Sequence, residues 1–237
     1  MTQPSTNGGT PASSGRTPAQ GNRLDPWYDV YADRAHNLRA SEIRALFSVV
    51  SRPEVVSLAG GMPNLKDLPL DRLAASAEKL IRNHGAQAMQ YGSGQGWEVL
   101  RERITEVMSY DGIIGADPDD VVVTTGSQQA LDLVTELFVN PGDVILAEAP
   151  SYVGALGVFR ARQADIVHVP MDEHGIIPEA LEETIRSVRA SGRTIKFIYI
   201  IPNYHNPAGV TLSAERRPII AEICLREHVL IVEDNPY

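Results

Sequence analysis

From residue 121 onward the chain alternates runs of Val and Ile with segments of helical periodicity. The runs include VVVT at 121–124, VILAE at 144–148 and VLIVED at 229–234, and the segments between them include PEALEETIRSVRAS at 178–191. Short, continuously apolar strands are typical of a sheet that is covered on both faces. Strands separated by helices favour parallel pairing. The sequence therefore predicts an α/β domain with a mostly parallel sheet.

Composition divides the rest of the chain. Residues 1–23 are rich in Ser, Thr, Gly, Pro and Gln and have almost nothing to bury, so we expect a disordered tail there. Residues 24–60 are predicted to form an N-terminal arm or a segment of a small domain, and residues 61–237 a large domain. With 43% hydrophobic and 22% charged residues, the 237-residue chain has an ordinary globular composition.

Charge and cysteine content restrict the partners and the compartment. The formal net charge is -9 and the isoelectric point is near 5.1, which argues against binding to nucleic acid or membranes because both require clustered Lys and Arg. No apolar run of about 18 residues predicts a membrane span, and the N-terminus does not resemble a secretory signal. The single Cys224 is predicted to be a buried, inert thiol. We expect a cytoplasmic protein, and the sequence singles out no metal ligands.

Ligands of parallel sheets bind beyond the carboxyl ends of the strands, so the residues that follow each strand are site candidates. After VVVT come Gly126, Ser127 and Gln128. They open a helix whose free N–H groups and positive dipole end favour a phosphate. The alternative is that Ser127 only caps the helix.

Three further strand ends carry polar or aromatic residues. Tyr152 follows VILAE and is either an aromatic platform or part of the core. Asn206 follows FIYIIP and precedes Pro207, which is also a common turn pair. Asp234 ends VLIVED and is either a ligand-binding acid or a solvated strand end. One phosphorylated aromatic cation would use all four strand ends, and pyridoxal 5′-phosphate (PLP) is such a molecule.

Six motifs resemble the ordered motifs of the fold-type I PLP-dependent aminotransferases. They are SLAGGMP, MQYGSGQGWEVLRERI, TTGSQQALDL, APSYVGAL, PNYHNPAG and VEDNPY. The resemblance covers residue 38 onward and is strongest to the 2-aminoadipate aminotransferase-like branch of class I/II. It implies a large domain of the aspartate aminotransferase type. It also implies an enzyme that uses PLP to transfer an amino group between an amino acid and a 2-oxo acid.

The resemblance implies roles for individual residues. Those expected to contact the cofactor are Gly126, Ser127 and Gln128 at its phosphate, Tyr152 on its ring, Asn206 and Tyr237 at its 3′-oxygen, and Asp234 at its ring nitrogen. A carboxylate at that nitrogen favours the protonated ring, which accepts electron density from the substrate. Tyr91 resembles a residue that reaches the phosphate of the partner subunit, which implies a homodimer, and Gly61 resembles a backbone contact near the substrate.

A Schiff-base lysine that matches the family pattern is missing from these 237 residues. Lys66 falls in a predicted loop, Lys79 on an amphipathic helix, and Lys196 near the start of a strand. In the resembled family this lysine, and the arginine that binds the substrate carboxylate, follow the Asp-x-x-Tyr motif. We therefore expect a C-terminally incomplete large domain with an unpaired edge at VLIVED. We also expect no transaminase activity from this chain alone.

Three other interpretations stay open. The lysine could come from a second polypeptide in a complemented enzyme, the chain could be a non-catalytic PLP-binding or regulatory module, or the site could serve another fold-type I reaction such as decarboxylation. A DNA-binding regulator is disfavoured because residues 1–23 contain no helix-turn-helix and few basic residues. GSGQG at 92–96 does not indicate a nucleotide site because its spacing is G-x-G-x-G and no clear strand precedes it.

Overall fold

The computed structural model describes residues 25–36, 52, 54–56, 65 and 67–236. It divides into two compact units, Met1–Leu38 and Arg39–Tyr237. The described part of the first unit contains a 3-10 turn at Tyr28–Val30 and the short helix α1 at Asp33–His36. The predicted tail at 1–23 lies outside the described residues. The sequence also predicts a short strand at VVSL, 55–58; its described residues, Val55 and Val56, are not in a strand, and the rest lies outside the description.

The second unit is a sheet whose strands alternate with helices. The helices are α2 (Leu70–Ala88), α3 (Glu98–Tyr110), α4 (Ser127–Phe138), α5 (Val153–Ala161), α6 (Pro178–Ala190) and α7 (Arg216–Arg226), with a 3-10 turn at Pro118–Asp120. The strands are β1 (Val144–Ala149), β2 (Asp165–Asp172), β3 (Gly175–Ile176), β4 (Ile195–Ile200) and β5 (Leu230–Glu233). Their order is β3-β2-β1-β4-β5. All pairs are parallel except β2 with the short β3, so the predicted mostly parallel sheet is confirmed.

Helices cover both faces of the sheet, as the apolar strands predicted. Side chains alternate between the two faces along a strand. One face packs β1 and β4 against α6 and α7 through Val144, Leu146, Ile198, Leu181, Ile185, Ile220 and Ile223. The other packs the same strands against α4 and α5 through Ile145, Ala147, Phe197, Tyr199, Leu131 and Phe159. Burial on both sides explains why these strands carry almost no polar residues.

The segment VVVT at 121–124 is not a strand, which corrects the prediction. Val121 has an extended backbone, with φ −94° and ψ 128°. The N–H of Val123 donates to the carbonyl of Gln95 at 2.8 Å, but none of the described strands pairs with this segment. Strand structure requires a ladder of bonds to a neighbour, and Val122 stays 56% exposed.

Helix α2 differs from its predicted bounds. The sequence predicts a helix that Asp71 caps and that runs to about His84. In the structure the helix begins at Leu70, and Asp71 lies in its first turn. At His84 the structure has a kink with φ −135° and ψ 19°, and the helix continues to Ala88. No helix in the described part of the chain, α2 included, is long and apolar enough to cross a membrane.

Strand β5 forms one edge of the sheet, as predicted for VLIVED. Among the described strands it pairs with β4 alone, and Leu230 is 44% exposed. The free backbone N–H and C=O groups of such an edge are able to pair with a further strand.

Cys224 is a buried thiol of α7, as predicted. It is 2% exposed, and burial raises its pKa to about 11. The thiol is therefore protonated and unreactive at neutral pH.

Candidate functional site

The chain reverses its direction of travel across the sheet between β1 and β4. From β1 it passes through α5 to β2 on one side, whereas from β4 it passes through α7 to β5 on the other. Open α/β sheets bind ligands outside the carboxyl ends of the strands at such a reversal. Tyr152 and Asn206 follow β1 and β4, and Asp234 follows β5. Three predicted residues therefore lie at the edge of the sheet where a ligand is expected.

Helix α4 begins after a backbone conformation that suits only glycine. Gly126 has φ 107° and ψ 165°, where a β-carbon is strained. Gln129 closes this turn, since its N–H donates to the Gly126 carbonyl and its Oε1 accepts from the N–H and hydroxyl of Thr125. The N–H groups of Ser127 and Gln128 have no hydrogen-bond partner among the described residues. This helix end presents free donors and a positive dipole to an anion.

The side chains of Gln128 and Tyr152 meet above Gly154. A β-carbon at Gly154 would lie 2.4 Å from Cζ of Tyr152 and 2.6 Å from Nε2 of Gln128. Both distances are shorter than van der Waals contact, so Gly154 is required for space. The starts of α4 and α5 are thus brought together, with the tyrosine ring beside the free end of α4.

Two hydrogen bonds hold Asp234 at the end of β5. Its N–H donates to the carbonyl of Ile200 at 2.9 Å, and the hydroxyl of Tyr199 donates to its Oδ2 at 2.6 Å. Burial of Tyr199, its hydrogen bond to Asp234 and the charge of that carboxylate raise the pKa of Tyr199. The phenol is therefore a protonated donor at neutral pH. Oδ1 of the half-buried Asp234 has no hydrogen bond from a described residue.

A buried acid joins β1 to the loop after β4. Glu148 and His205 are each 1% exposed, and Nε2 of the histidine lies 3.1 Å from Oε2 of Glu148, outside hydrogen-bond geometry. The same Oε2 accepts the N–H of Ile201 at 2.8 Å. The N–H of Ala208 donates to Nδ1 of His205 at 3.3 Å, which assigns the proton of the neutral ring to Nε2. Glu148 thereby anchors Ile201, at the start of the loop that carries Asn206.

The loop that carries Asn206 is tied to the segment after β5. Asn206 itself is exposed and is joined to Pro207 by a cis peptide bond. Nδ2 of Asn203 donates to Oδ1 of Asn235 at 2.9 Å. The loop after β4 and the residue next to Asp234 are therefore linked directly.

The remaining predicted residues lie away from this cluster or outside the description. The side chain of Tyr91 is 100% exposed. Tyr237 and Gly61 fall outside the described residues. The loop at 92–96 follows Tyr91, and no described strand precedes it, as predicted.

Lysine side chains do not reach the site in the described part of the chain. Nζ of Lys196 lies 3.2 Å from Oδ2 of Asp143. Asp143 precedes β1 and Lys196 is the second residue of β4, so this pair sits at the amino edge of the sheet, opposite Asp234. Lys79 is on the exposed surface of α2, and Lys66 is outside the described residues. The predicted position of Lys196, away from the ligand-binding end, is confirmed.

The sequence predictions missed Tyr199, Glu148 and His205. Two signals were present, because Glu148 is the one acid in VILAEA and Tyr199 the one hydroxyl in IKFIYI. A polar group in a buried strand needs a partner. The partners were hidden because Glu148 and Ile201 are 53 residues apart and Tyr199 and Asp234 are 35 residues apart.

A family model described as aminotransferase class I and II matches residues 53–237. The chain belongs to this family. The resemblance carried by the six motifs is thus confirmed, and the family makes the chain part of an enzyme class whose cofactor is PLP.

Individual relatives agree with the family match. The chain is 39% identical over 207 residues to aromatic-amino-acid aminotransferase 1 of Thermococcus litoralis, which covers 87% of this chain and 50% of the relative. It is 35% identical over 211 residues to 2-aminoadipate transaminase of Thermus thermophilus, covering 89% and 50%. A crystal structure of Pyrococcus horikoshii kynurenine aminotransferase in complex with PMP matches with a TM-score of 0.83 at 33% identity, covering 91% and 53%.

These relatives define the fold and the extent of the match. The fold is the mostly parallel large-domain fold of the PLP-dependent aminotransferases, of the aspartate aminotransferase type. The chain spans about half the length of the curated relatives it matches. Its carboxyl edge fits PLP, since it offers free N–H groups at α4, a tyrosine ring above Gly154, and a carboxylate with one open oxygen.

Proposed function

We propose that this chain forms the cofactor-binding half of a PLP-dependent aminotransferase that acts on an amino acid and a 2-oxo acid. The carboxyl group of Asp234 carries the proposal, because buried Tyr199 binds its Oδ2 and leaves Oδ1 open at the ligand-binding edge. Bound PLP supplies a protonated ring that accepts electron density from the substrate. A carboxylate beside the ring nitrogen keeps the nitrogen protonated.

The other proposed contacts follow from position. The N–H groups of Ser127 and Gln128, which follow Gly126, bind the phosphate. Tyr152 lies against the ring, and Asn206 and Tyr237 bind the 3′-oxygen. The helix end favours the phosphate because its free donors and dipole act together. The ring of Tyr152 and the side chain of Gln128 both occupy the space above Gly154. These residues bind and orient the cofactor and leave proton transfer to a lysine.

We propose that the Schiff-base lysine is supplied from outside these 237 residues. Lys196 is engaged with Asp143 at the opposite edge of the sheet, and Lys79 lies on an exposed helix. Strand β5 and the extended segment 121–124 each leave backbone groups free for further strands of the same sheet. The chain alone is then expected to bind the cofactor without turning over substrate.

A homodimer is also proposed. The fully exposed Tyr91 suits a residue that reaches the phosphate of the partner subunit, and the backbone at Gly61 is proposed to lie near the substrate. Sedimentation equilibrium tests the dimer, with Tyr91→Phe as the variant. We expect this variant to keep the dimer mass and to bind the cofactor more weakly.

Binding of PMP, the pyridoxamine form of the cofactor, tests the site because it requires no lysine. We expect the protein to bind one PMP per chain in a calorimetric titration. Asp234→Asn should weaken binding about a hundredfold, because losing one partner of a desolvated charge pair costs about 2–5 kcal/mol. Asp143→Asn, which removes a carboxylate at the opposite edge, is the matched control and should bind normally. Equal affinity of wild type and Asp234→Asn would contradict the proposal.

Turnover separates this proposal from the alternatives. The 237-residue chain supplied with PLP and an amino acid is expected to release no 2-oxo acid. Addition of a lysine-bearing polypeptide that completes the sheet should restore release. A chain that binds PMP but stays inactive with every such polypeptide would instead be a non-catalytic PLP-binding module.

A further inference from the structure

Tyr199 is a buried residue whose single polar atom is aimed at Asp234. Its ring is fully buried in β4 and packs edge-on against Phe159, with ring centroids 5.4 Å apart. Its hydroxyl donates to Oδ2 of Asp234 at 2.6 Å. Tyr152, the proposed ring platform, packs against the same buried cluster that contains Tyr199.

Asp234 is held from two sides, and only one of them is a side chain. The backbone bond from its N–H to Ile200 fixes where the residue sits. It does not fix the rotation of the carboxyl group, which has two equivalent oxygens. The bond from Tyr199 to one oxygen fixes this rotation and leaves the other oxygen, Oδ1, without a bond from a described residue.

We propose that Tyr199 is a positioning residue that orients the carboxylate of Asp234 toward the ring nitrogen of the cofactor. This inference rests on the proposed function. A hydrogen bond to a carboxylate lowers its affinity for a proton. Tyr199 therefore keeps the proton that Asp234 and the ring share on the ring nitrogen. It also aligns the acceptor oxygen of Asp234.

A purely structural role for Tyr199 predicts something different. If the residue only fills the core, its replacement should affect every ligand of the site to the same extent. If it acts through Asp234, its replacement should affect only ligands that carry the ring nitrogen. PMP and an analogue in which a C–H group replaces the ring nitrogen distinguish the two roles.

The experiment measures the affinities of both ligands for the wild-type protein and for Tyr199→Phe. The variant keeps the ring and its contact with Phe159. We expect it to bind PMP about tenfold more weakly, since a hydrogen bond to a charged group is worth roughly this factor. Its affinity for the analogue should not change. The ¹⁵N resonance of the ring nitrogen in bound PMP should also move from the protonated toward the unprotonated position.

A second variant controls for packing. Phe159→Leu loosens the contact with Tyr199 but keeps the hydroxyl, so it should lower stability and leave the ratio of the two affinities unchanged. Equal weakening of both ligands by Tyr199→Phe, or no weakening, would overturn the positioning role. Failure of the wild type to prefer PMP over the analogue would overturn the role of Asp234 itself, and with it both proposals.

Discussion

Two aspartates at the carboxyl edge of the sheet have opposite surroundings. Asp172 ends β2, and Arg216 donates to both of its oxygens at 2.6 and 2.8 Å while the N–H of His174 adds a bond at 2.8 Å. Asp234 follows β5 and receives one side-chain bond, from Tyr199. Both oxygens of Asp172 are therefore hydrogen-bonded, which we call a complete carboxylate. Asp234 keeps one oxygen, Oδ1, without a bond from a described residue, which we call an open carboxylate.

The difference extends to the surroundings of each aspartate. Beside Asp172, Arg216 also donates to the carbonyls of Gly175 and Ile176, which closes the β2–β3 end. At the reversal between β1 and β4, Oγ of Ser151 and Nε2 of His205 are buried and have no hydrogen bond within the part of the chain that the structure describes. Buried polar groups are normally paired. The carboxylate of Asp172, with both oxygens hydrogen-bonded, stabilises the fold, whereas the open oxygen of Asp234 suits a ligand.

The largest effect expected from this comparison concerns Glu148, which joins β1 to the loop after β4 near the open end of the sheet. Glu148→Ala should lower the free energy of unfolding by about 3 kcal/mol, because it leaves the buried N–H of Ile201 without its acceptor and opens a cavity between β1 and the loop after β4. Asp234→Ala should cost about 1 kcal/mol or less, because its side chain is half-buried and makes one bond.

Urea unfolding of the two variants measures this difference. Glu148→Gln keeps an acceptor for Ile201 and should recover about half of the loss. If Asp234→Ala proved as destabilising as Glu148→Ala, Asp234 would be a structural residue like Asp172, and the distinction between the two ends would fail.

Most of the fold could be predicted because its signals are local. The periodicity of 178–191 and the continuous apolar run of VILAE each appear within a few residues. VVVT is an apolar run like VILAE but is not a strand, since pairing depends on a neighbour that no local pattern contains. The antiparallel β3 was not predicted because two residues, Gly175 and Ile176, are too few for a pattern.

The site could be predicted only in part, for the same reason. Asp234 and Tyr152 were found because their strands end visibly in the sequence. The role of Gly154 was missed because its clash with Tyr152 and Gln128 exists only after two helices pack. Sequence patterns locate the ends of elements, whereas contacts between ends require the fold.

A smaller effect is expected at Gly154. Gly154→Ala should weaken PMP binding about tenfold, because a β-carbon there must displace Tyr152 and Gln128. Gly157→Ala is the matched control on the same helix, since a β-carbon at Gly157 meets nothing within 4 Å. It should leave PMP binding unchanged and stabilise α5 by about 0.5–1 kcal/mol. Equal PMP affinity in both variants would show that Tyr152 and Gln128 do not contact the cofactor.

The smallest expected effect is the pH dependence of the stabilisation by Asp172. The hydrogen bonds from Arg216 and from the N–H of His174 lower the pKa of Asp172 from 3.8 to about 2. Because the folded pKa lies below the unfolded value, this stabilisation is fully present above 3.8 and is lost as pH falls through about 2. The urea midpoint of the wild type should therefore fall more steeply over this interval than that of Asp172→Asn. Glu78→Gln, which removes the carboxylate of an exposed pair with Arg82, should follow the wild type. If the urea midpoints of wild type and Asp172→Asn fell in parallel with pH, Arg216 would not hydrogen-bond Asp172 in solution. The contrast between Asp172 and Asp234 would then not hold.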